Sequence, residues 1–247
     1  MRAAPGDVMK LLELQRLDTD IGRLKHKASA LPVHQRVTTL MQSRSSCADD
    51  LVAAQTALSD ATILAERSEA DVVPVRERLQ RNQARVDAGA LDSKALPSAL
   101  EEIEHLKRRI SDLEDVALEA LDAMEAATAQ VEAATNQAQA IERDLQQEIA
   151  TRDHEVGELG QQAKALGQER SALAAQFPGD LVTLYDKIRA RAGGVGVARL
   201  EGHRCLGCEM AVTPGDYDRY MAAPVDEVIR CAECDRILLR QSLTPGG

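Results

Sequence analysis

The sequence predicts a mainly α-helical protein, in which a long antiparallel coiled-coil hairpin precedes a small C-terminal β domain. Two long stretches repeat apolar residues at alternating steps of three and four, and a short segment with Gly, Pro and polar residues separates them. Four cysteines in two pairs lie near the C-terminus. We place the hairpin in residues 1–178, with its turn near 87–97, and the second domain in residues 179–247.

The composition excludes several other classes of protein. Aromatic residues make up 2% of the 247 residues and hydrophobic residues 44%, so Ala, Leu, Val and Ile must fill the core, as in the seam between paired helices. The net charge of −10 disfavours a mainly electrostatic grip on nucleic acid or an anionic membrane. With no run of about 18 uncharged apolar residues and no visible secretion signal, we expect a cytoplasmic protein that does not cross a membrane.

The first helical stretch is predicted from about Asp7 to Val86. Its apolar stripe comprises Leu14, Leu17, Ile21, Leu24, Ala28 and Leu31, then Val33, Val37, Leu40, Cys47, Leu51, Ala54, Leu58, Ala61, Ala65, Val72, Val75, Leu79 and Val86. Polar side chains at three seam positions should weaken it: Arg44, Ser68 and Asn82. Pro32 and Pro74 should each kink a single bent helix, because proline removes a backbone donor. The alternative is two helices that meet at Pro32.

The second helical stretch has the cleaner pattern. Its stripe runs through Ile103, Leu106, Ile110, Leu113, Ala117, Ala120, Met124, Ala127, Val131, Ala134, Ala138, Ile141 and Leu145, and resumes as Val156, Leu159, Ala163, Leu166 and Leu173. Each stretch would form a helix of about 80 residues, or about 120 Å. Matched lengths around a short connection favour an antiparallel hairpin within one chain over the alternative, a parallel homodimer.

The composition changes after Phe177-Pro178-Gly179. Residues 180–192 predict a short helix that Asp180 caps, with basic residues in its last turns. Gly193 and Gly194 end that helix, and the β-branched residues of 195–200 predict a first strand. Strands are also predicted at 226–230 and 236–240, with a short helix over 214–221 between the cysteine pairs.

The cysteine pairs carry the clearest chemistry in the sequence. Cys205 and Cys208 form one Cys-x-x-Cys motif, Cys231 and Cys234 form the second, and 22 residues separate the two motifs. Each motif brings two thiolates to one side of a tight turn, so two motifs complete a tetrahedral shell around zinc. Gly207 is expected to supply backbone freedom in the first turn. The sequence therefore predicts a zinc ribbon with one structural Zn²⁺.

Other interpretations of the titratable residues are weaker. Two redox dithiols would need a thioredoxin-like βαβ context that is missing, and a catalytic zinc would need an open coordination position. His203 is expected to be solvated or to support the ligands from outside, and Cys47 to be a small buried apolar residue. The Gly-rich stretch at 193–196 lacks the Gly-Lys-Ser/Thr of a phosphate loop. We predict that the protein is not an enzyme.

The order of a long coiled-coil hairpin and a C-terminal four-cysteine ribbon resembles that of the bacterial C4-type zinc-ribbon family. The resemblance is carried by residues 101–115, Glu-Glu-Ile-Glu-His-Leu-Lys-Arg-Arg-Ile-Ser-Asp-Leu-Glu-Asp, by Gly202-His-Arg-Cys-Leu-Gly-Cys208 and by Ile229-Arg-Cys-Ala-Glu-Cys-Asp-Arg-Ile-Leu-Leu239. It implies that the four paired cysteines are zinc ligands. It also implies chaperone or adapter roles, including roles in flagellar or type III secretion systems, and RNA binding for some members.

Two functions are predicted from these observations. The first is a non-catalytic adapter, scaffold or chaperone-like protein that binds other proteins through its coiled coil and ribbon, as a monomer or weak homodimer. The alternative is nucleic-acid binding through the ribbon, where five arginines could share a face with Tyr217 or Tyr220: Arg199, Arg204, Arg230, Arg236 and Arg240. Charge disfavours the alternative, because residues 193–247 hold six Arg and no Lys against eight acidic residues.

Overall fold

The computed structural model describes residues 1–240, and residues 241–247 of the predicted C-terminal domain lie outside the described residues. The elements follow one another as α1 (Pro5–Ser29), α2 (Pro32–Asp87), α3 (Leu96–Ala174), α4 (Gly179–Arg191), β1 (Val197–Glu201), β2 (Arg204–Cys205), α5 (Pro214–Ala222), β3 (Ile229–Arg230) and β4 (Ile237–Leu239). The predicted fold class is confirmed, because long helices precede a small sheet. No helix in residues 1–240 has both the length and the apolar character needed to span a membrane.

The chain comprises two compact units. Residues 35–149 form one, and residues 1–34 with the chain from Ala150 onwards form the other. The predicted boundary at residue 178 stays a prediction.

In residues 35–149, α2 and α3 pack as an antiparallel pair. Arg36 Nε donates to Glu148 Oε2 at 2.9 Å, and Arg44 Nη1 to Glu142 Oε2 at 3.5 Å, so residue numbers fall on α3 as they rise on α2. The seam is filled by stripe residues from both helices, with Val37, Cys47, Ala65, Val72, Ile103, Leu106, Ile110, Ala120, Ala127 and Leu145 all buried. The heptad pattern thus pairs the two stretches within one chain.

The two prolines of the first stretch behave differently. The predicted single bent helix is wrong at Pro32, since α1 ends at Ser29 and Pro32 is the first residue of α2. Proline suits that position, because a first-turn N–H has no partner within the helix. At Pro74, in contrast, α2 continues without a break.

In the other unit, α1 and α4 pack against the sheet, whose strand order is β2-β1-β4-β3. β1 and β4 run parallel, with Val197 opposite Ile237, and the outer pairs run antiparallel. The N-terminus extends the β3 edge: Ala3 N–H donates to the Asp226 carbonyl at 2.8 Å, and Val228 N–H donates to the Met1 carbonyl at 3.0 Å.

This unit has a core that joins residues from both ends of the sequence. Leu11 and Leu14 of α1 are fully buried against Leu181, Tyr185 and Ile188 of α4 and against one face of the sheet. Two details of the prediction are corrected here. The buried face of α1 continues through Gln15 and Asp18, whereas Leu17 is only half-buried. Pro178 precedes α4 at the cap position, and Asp180 lies in the first turn without capping it.

Candidate metal centre

The fold brings both cysteine pairs together. Cys205 ends β2, Cys231 directly follows β3, and the second cysteine of each pair lies three residues further on. All four Sγ atoms lie within 4.8 Å of one another. The Sγ atoms of Cys205 and Cys234 are 3.9 Å apart, and those of Cys208 and Cys231 are 4.0 Å apart. A tetrahedron with Zn–S bonds of about 2.3 Å has S···S edges of about 3.8 Å, so the four thiols are positioned to bind such an ion.

The two turns that carry the cysteines have the same backbone design. Glu209 N–H donates to the Cys205 carbonyl at 2.8 Å, and Asp235 N–H donates to the Cys231 carbonyl at 2.9 Å. Glu209 and Asp235, each directly after the second cysteine of its pair, adopt φ of 62° and 64°. In each turn, the residue with left-handed backbone geometry is thus the one that directly follows the second cysteine. The prediction that Gly207 supplies this freedom is therefore wrong, because Gly207 lies between its cysteines and has no positive φ.

Gly207 is needed for space. A Cβ added there would lie 2.6 Å from Cδ of Arg236 and 2.8 Å from Cβ of Ala198. Both separations are far below the usual carbon–carbon contact of about 3.5–4.0 Å. Gly207 therefore lets the first cysteine turn pack directly on the Arg236 side chain and on β1.

Arg236 ties the second cysteine turn to the end of α4. Its Nε donates to the Val195 carbonyl at 3.0 Å, and its Nη2 donates to the Ala192 carbonyl at 2.6 Å. Asp235 forms ion pairs with Arg191 of α4 and with Arg230 of β3. The metal-site turn is thereby held to the helix that precedes the sheet.

The protonation of the thiols depends on burial and on nearby donors. Burial raises the pKa of Cys205 to about 12, although backbone N–H groups of Cys208 and Gly207 act to lower it. Burial likewise raises the pKa of Cys231. For Cys234 burial acts in the same direction, but hydrogen bonds from the backbone and side chain of Arg236 and from neighbouring thiols outweigh it, and its pKa falls to about 7. A bound divalent cation is the kind of charge that deprotonates coordinating thiols outright.

Of the five arginines predicted to share a face of the ribbon, three contact other groups of the protein. Arg236 makes the contacts given above and Arg230 pairs with Asp235, while Arg240 is 3% exposed and donates to the carbonyls of Tyr220, Ala223 and Pro224. Tyr220 is also buried, and its hydroxyl accepts from Ala232 N–H at 2.9 Å. Arg199 and Arg204 are exposed. The five arginines therefore do not form one free basic face.

The remaining candidate residues lie apart from the cysteine cluster. His203 is exposed and packs on Tyr217, with ring centroids 4.0 Å apart. Cys47 is buried in the α2–α3 seam, and its Sγ lies 3.8 Å from the Ala134 carbonyl oxygen. Within the described residues, the four paired cysteines are the one group of three or more His, Cys, Asp or Glu side chains positioned to hold a metal ion.

Sequence reasoning missed the polar residues of α1 that support the ribbon. Gln15 Oε1 accepts from Gly196 N–H at 2.7 Å and Val197 N–H at 3.3 Å, and Gln15 Nε2 donates to the Gly194 carbonyl at 3.0 Å. Asp18 is buried and accepts from Tyr185 Oη at 2.9 Å. The signal available in the sequence was that both positions lie one residue from an apolar stripe position.

Asp18 also joins α1 to α3 and α4 through arginines. Its Oδ1 lies 3.3 Å from Arg170 Nε and 3.3 Å from Arg189 Nη1. Burial acts to lower the pKa of Arg170. Asp18 and Asp186 stabilise its charged form and outweigh burial, so the pKa is raised. This network joins α1, α3 and α4 to one another.

Comparison with known proteins matches the whole layout. A family model described as a CT398-like coiled coil hairpin domain matches residues 14–193, and one described as a C4-type zinc ribbon domain matches residues 204–238. The chain is 34% identical over 240 residues to an uncharacterised protein of Mycobacterium tuberculosis, covering 97% of this chain and 98% of that protein. It is 27% identical over 226 residues to an uncharacterised protein of Mycobacterium leprae, covering 92% and 97%.

Solved structures share the fold. A protein from Mycobacterium smegmatis matches with a TM-score of 0.81 and 31% identity, over 97% of this chain and 100% of that one. CT398 from Chlamydia trachomatis matches with a TM-score of 0.68 and 14% identity, over 96% and 98%. The HP0958 protein from Helicobacter pylori matches with a TM-score of 0.51 and 13% identity, over 97% and 99%. The last two similarities concern the fold alone.

Proposed function

The chain belongs to the CT398-like coiled-coil hairpin family with a C4-type zinc ribbon, and we propose that it is a non-catalytic zinc protein that binds other proteins. In this proposal it acts in the cytoplasm as an adapter, scaffold or chaperone-like factor, and the helical hairpin and the ribbon each present a surface to a partner. The observation that carries the proposal is a closed cluster of four thiols in a chain whose long helices expose charged side chains to solvent.

We assign Cys205, Cys208, Cys231 and Cys234 as the ligands of one structural Zn²⁺. The S···S separations of 3.9 and 4.0 Å support this assignment, because they match the edges of a zinc–thiolate tetrahedron. The ion, when bound, joins the two cysteine turns. The strands around it contain two to five residues each, so metal binding contributes directly to the folding free energy of the ribbon.

The absence of catalysis is part of the proposal and rests on coordination chemistry. Four thiolates fill the tetrahedral shell, so no position is left for water or a substrate. The pKa of Cys234 lies near 7, but its thiol faces the other three and is expected to be occupied by the metal. A zinc centre of this kind holds a structure together and does not activate a nucleophile.

Nucleic-acid binding through the ribbon is the less supported alternative. Arg236 and Arg240 donate to backbone carbonyls, and the exposed Arg230 pairs with Asp235. Arg199 and Arg204 are the exposed members of the group that are not engaged in this way in the described structure. Phosphate neutralisation requires a basic surface. A mobility shift with single-stranded RNA at low salt that is lost in the Arg199→Glu/Arg204→Glu variant would favour this alternative.

The metal assignment is tested with the Cys205→Ser/Cys208→Ser variant of the full chain. We expect stoichiometric zinc to be lost by elemental analysis, and the ribbon amides to exchange rapidly with deuterium, while circular dichroism shows that the helices remain. The matched control is Cys47→Ser, which removes a buried thiol outside the cluster and should keep its zinc. Full zinc retention in the double variant would refute the ligand assignment.

The binding role is tested by in-cell crosslinking followed by purification of the zinc-loaded full chain and mass spectrometry. We expect specific protein partners above the background of an unrelated coiled-coil protein. Sedimentation of the same preparation measures the oligomeric state, for which we propose a monomer or weak homodimer. Recovery of no partner in crosslinked cells that express the protein at its native level would contradict the proposal.

A further inference from the structure

The negative charge of the protein is concentrated in the middle of the α2–α3 pair. Residues 45–75 of α2 and 110–142 of α3, here called the acidic segment, contain fourteen Asp and Glu residues and a single basic residue, Arg67. The net charge of this segment is thus −13, whereas the whole chain carries −10. All of the segment lies within the compact unit formed by residues 35–149.

The carboxylates of the acidic segment are mostly free of basic neighbours. Its ion pairs in the described structure are at its two ends, where Glu142 pairs with Arg44 and Glu114 pairs with Arg76. Arg44 and Arg76 themselves lie just outside residues 45–75. The carboxylates between these ends are exposed to solvent, and the described structure shows no ion pair for them.

The acidic segment also exposes large apolar side chains. Seven of them are more than two-fifths exposed: Val52, Ile63, Leu64, Val73, Val116, Leu118 and Leu121. They lie outside the stripe that fills the helix–helix seam. Leu118, for example, is 59% exposed. A side chain so exposed contributes little to the pairing of α2 with α3.

Leu118 and Leu121 form the best-defined part of this surface. They are three residues apart, so they share one face of α3, and they are 59% and 42% exposed. Exposed carboxylates lie about one helical turn before and after them: Asp115, Asp122 and Glu125, together with Glu114, which already pairs with Arg76. The result is an apolar patch with an acidic rim.

We propose that this patch is a docking site for a basic amphipathic helix of another protein. Such a helix would place leucine-type side chains spaced three or four residues apart on Leu118 and Leu121, with Lys and Arg side chains toward the acidic rim. The proposal rests on the protein-binding function proposed above and names the chemistry of one partner. Charge complementarity selects this occupant, because a second copy would bring one segment of net charge −13 against another, and nucleic acid would be repelled.

The proposal is tested by fluorescence anisotropy with the zinc-loaded full chain and labelled synthetic helices. The main probe is a Leu/Lys peptide of about 20 residues, long enough to be helical, with leucine at helical spacing. A Leu/Glu peptide of the same pattern and a Leu/Lys peptide with scrambled spacing are the matched probes. We expect only the patterned basic peptide to bind, and more weakly as NaCl is raised from about 0.05 to 0.3 M.

Two sets of variants locate the site. Leu118→Gln/Leu121→Gln should weaken binding of the basic peptide at least about tenfold, since two leucines leave the interface. Asp115→Asn/Asp122→Asn should weaken it a few-fold and flatten its salt dependence. The control is Leu96→Gln/Leu100→Gln, which removes two exposed leucines of α3 outside the acidic segment and should leave binding unchanged. Circular dichroism verifies that each variant keeps its helices.

Several results would overturn the proposal. One is that the Leu/Glu peptide binds as tightly as the Leu/Lys peptide, and another is that the Leu/Lys peptide binds the Leu118→Gln/Leu121→Gln variant as tightly as the wild type. A dimer of the wild-type chain that this variant converts to monomers would overturn it as well. The crosslinking experiment is repeated on the same variant to separate the two proposals. Partners retained by the variant contradict the docking site while the binding function stands. Partners absent already from the wild type contradict the binding function itself.

Discussion

Replacing Gly207 by Ala tests whether the metal site depends on a close approach between its two turns. The new Cβ would lie 2.6 Å from Cδ of Arg236 and 2.8 Å from Cβ of Ala198. One of these atoms, or the first turn itself, must therefore move by about 1 Å to restore ordinary contact. The Arg236 side chain is the more movable, but its Nε and Nη2 are hydrogen-bonded to the Val195 and Ala192 carbonyls.

The expected loss of stability depends on how far the packed atoms shift and on whether Arg236 loses its hydrogen bonds. Forcing a methyl group into a packed site costs about 1–3 kcal/mol, and each hydrogen bond of a charged group contributes about 1.5–3 kcal/mol. The protein will adopt whichever mixture of shifted packing and lost Arg236 hydrogen bonds costs the least free energy. Arg236 is partly exposed, so its side chain has room to move. We therefore expect Gly207→Ala to destabilise the ribbon by about 2–4 kcal/mol.

The assay is hydrogen–deuterium exchange of residues 195–208 in the zinc-loaded protein, combined with the rate of zinc release to a chelator. Both should rise in Gly207→Ala. Gly215→Ala is the matched control, because no atom lies within 4 Å of its added Cβ and it occupies the first turn of α5. If the two variants exchange and release zinc alike, the argument from close approach is wrong.

Two further variants address polar groups in the helices. Asp18→Asn should destabilise the protein by about 2–4 kcal/mol in urea unfolding, because the partly buried Arg170 and Arg189 lose the more buried of the two carboxylates that pair with them and keep only Asp186. The control Asp20→Asn, whose ion pairs are exposed, should cost less than about 1 kcal/mol. Asn82→Leu should raise the thermal midpoint, because the buried Nδ2 of this seam residue has no hydrogen-bond partner in the described structure; an unchanged or lower midpoint would show that the amide is satisfied.

The sequence was sufficient for features that depend on neighbours along the chain. The three-four spacing of Ile103, Leu106 and Ile110 identifies the seam of α3, because residues at this spacing share a helix face whatever their partner. The two Cys-x-x-Cys motifs likewise predict the four-cysteine cluster, since each sets the separation of its own two thiols. Prolines were less informative, because Pro32 begins a helix while Pro74 lies inside one.

Only the tertiary structure decided how distant segments support the four-cysteine cluster. Gln15 contacts Gly196 across 181 residues, and Arg236 reaches the Ala192 carbonyl across 44. No periodicity or local motif encodes such pairs, because they depend on the packing of α1, α4 and the sheet around one core. The same holds for Gly207, whose need for space arises from Arg236, a residue that neighbours it only in the folded chain. Local pattern therefore determined the elements and the metal-binding motif, whereas long-range packing determined what holds them together.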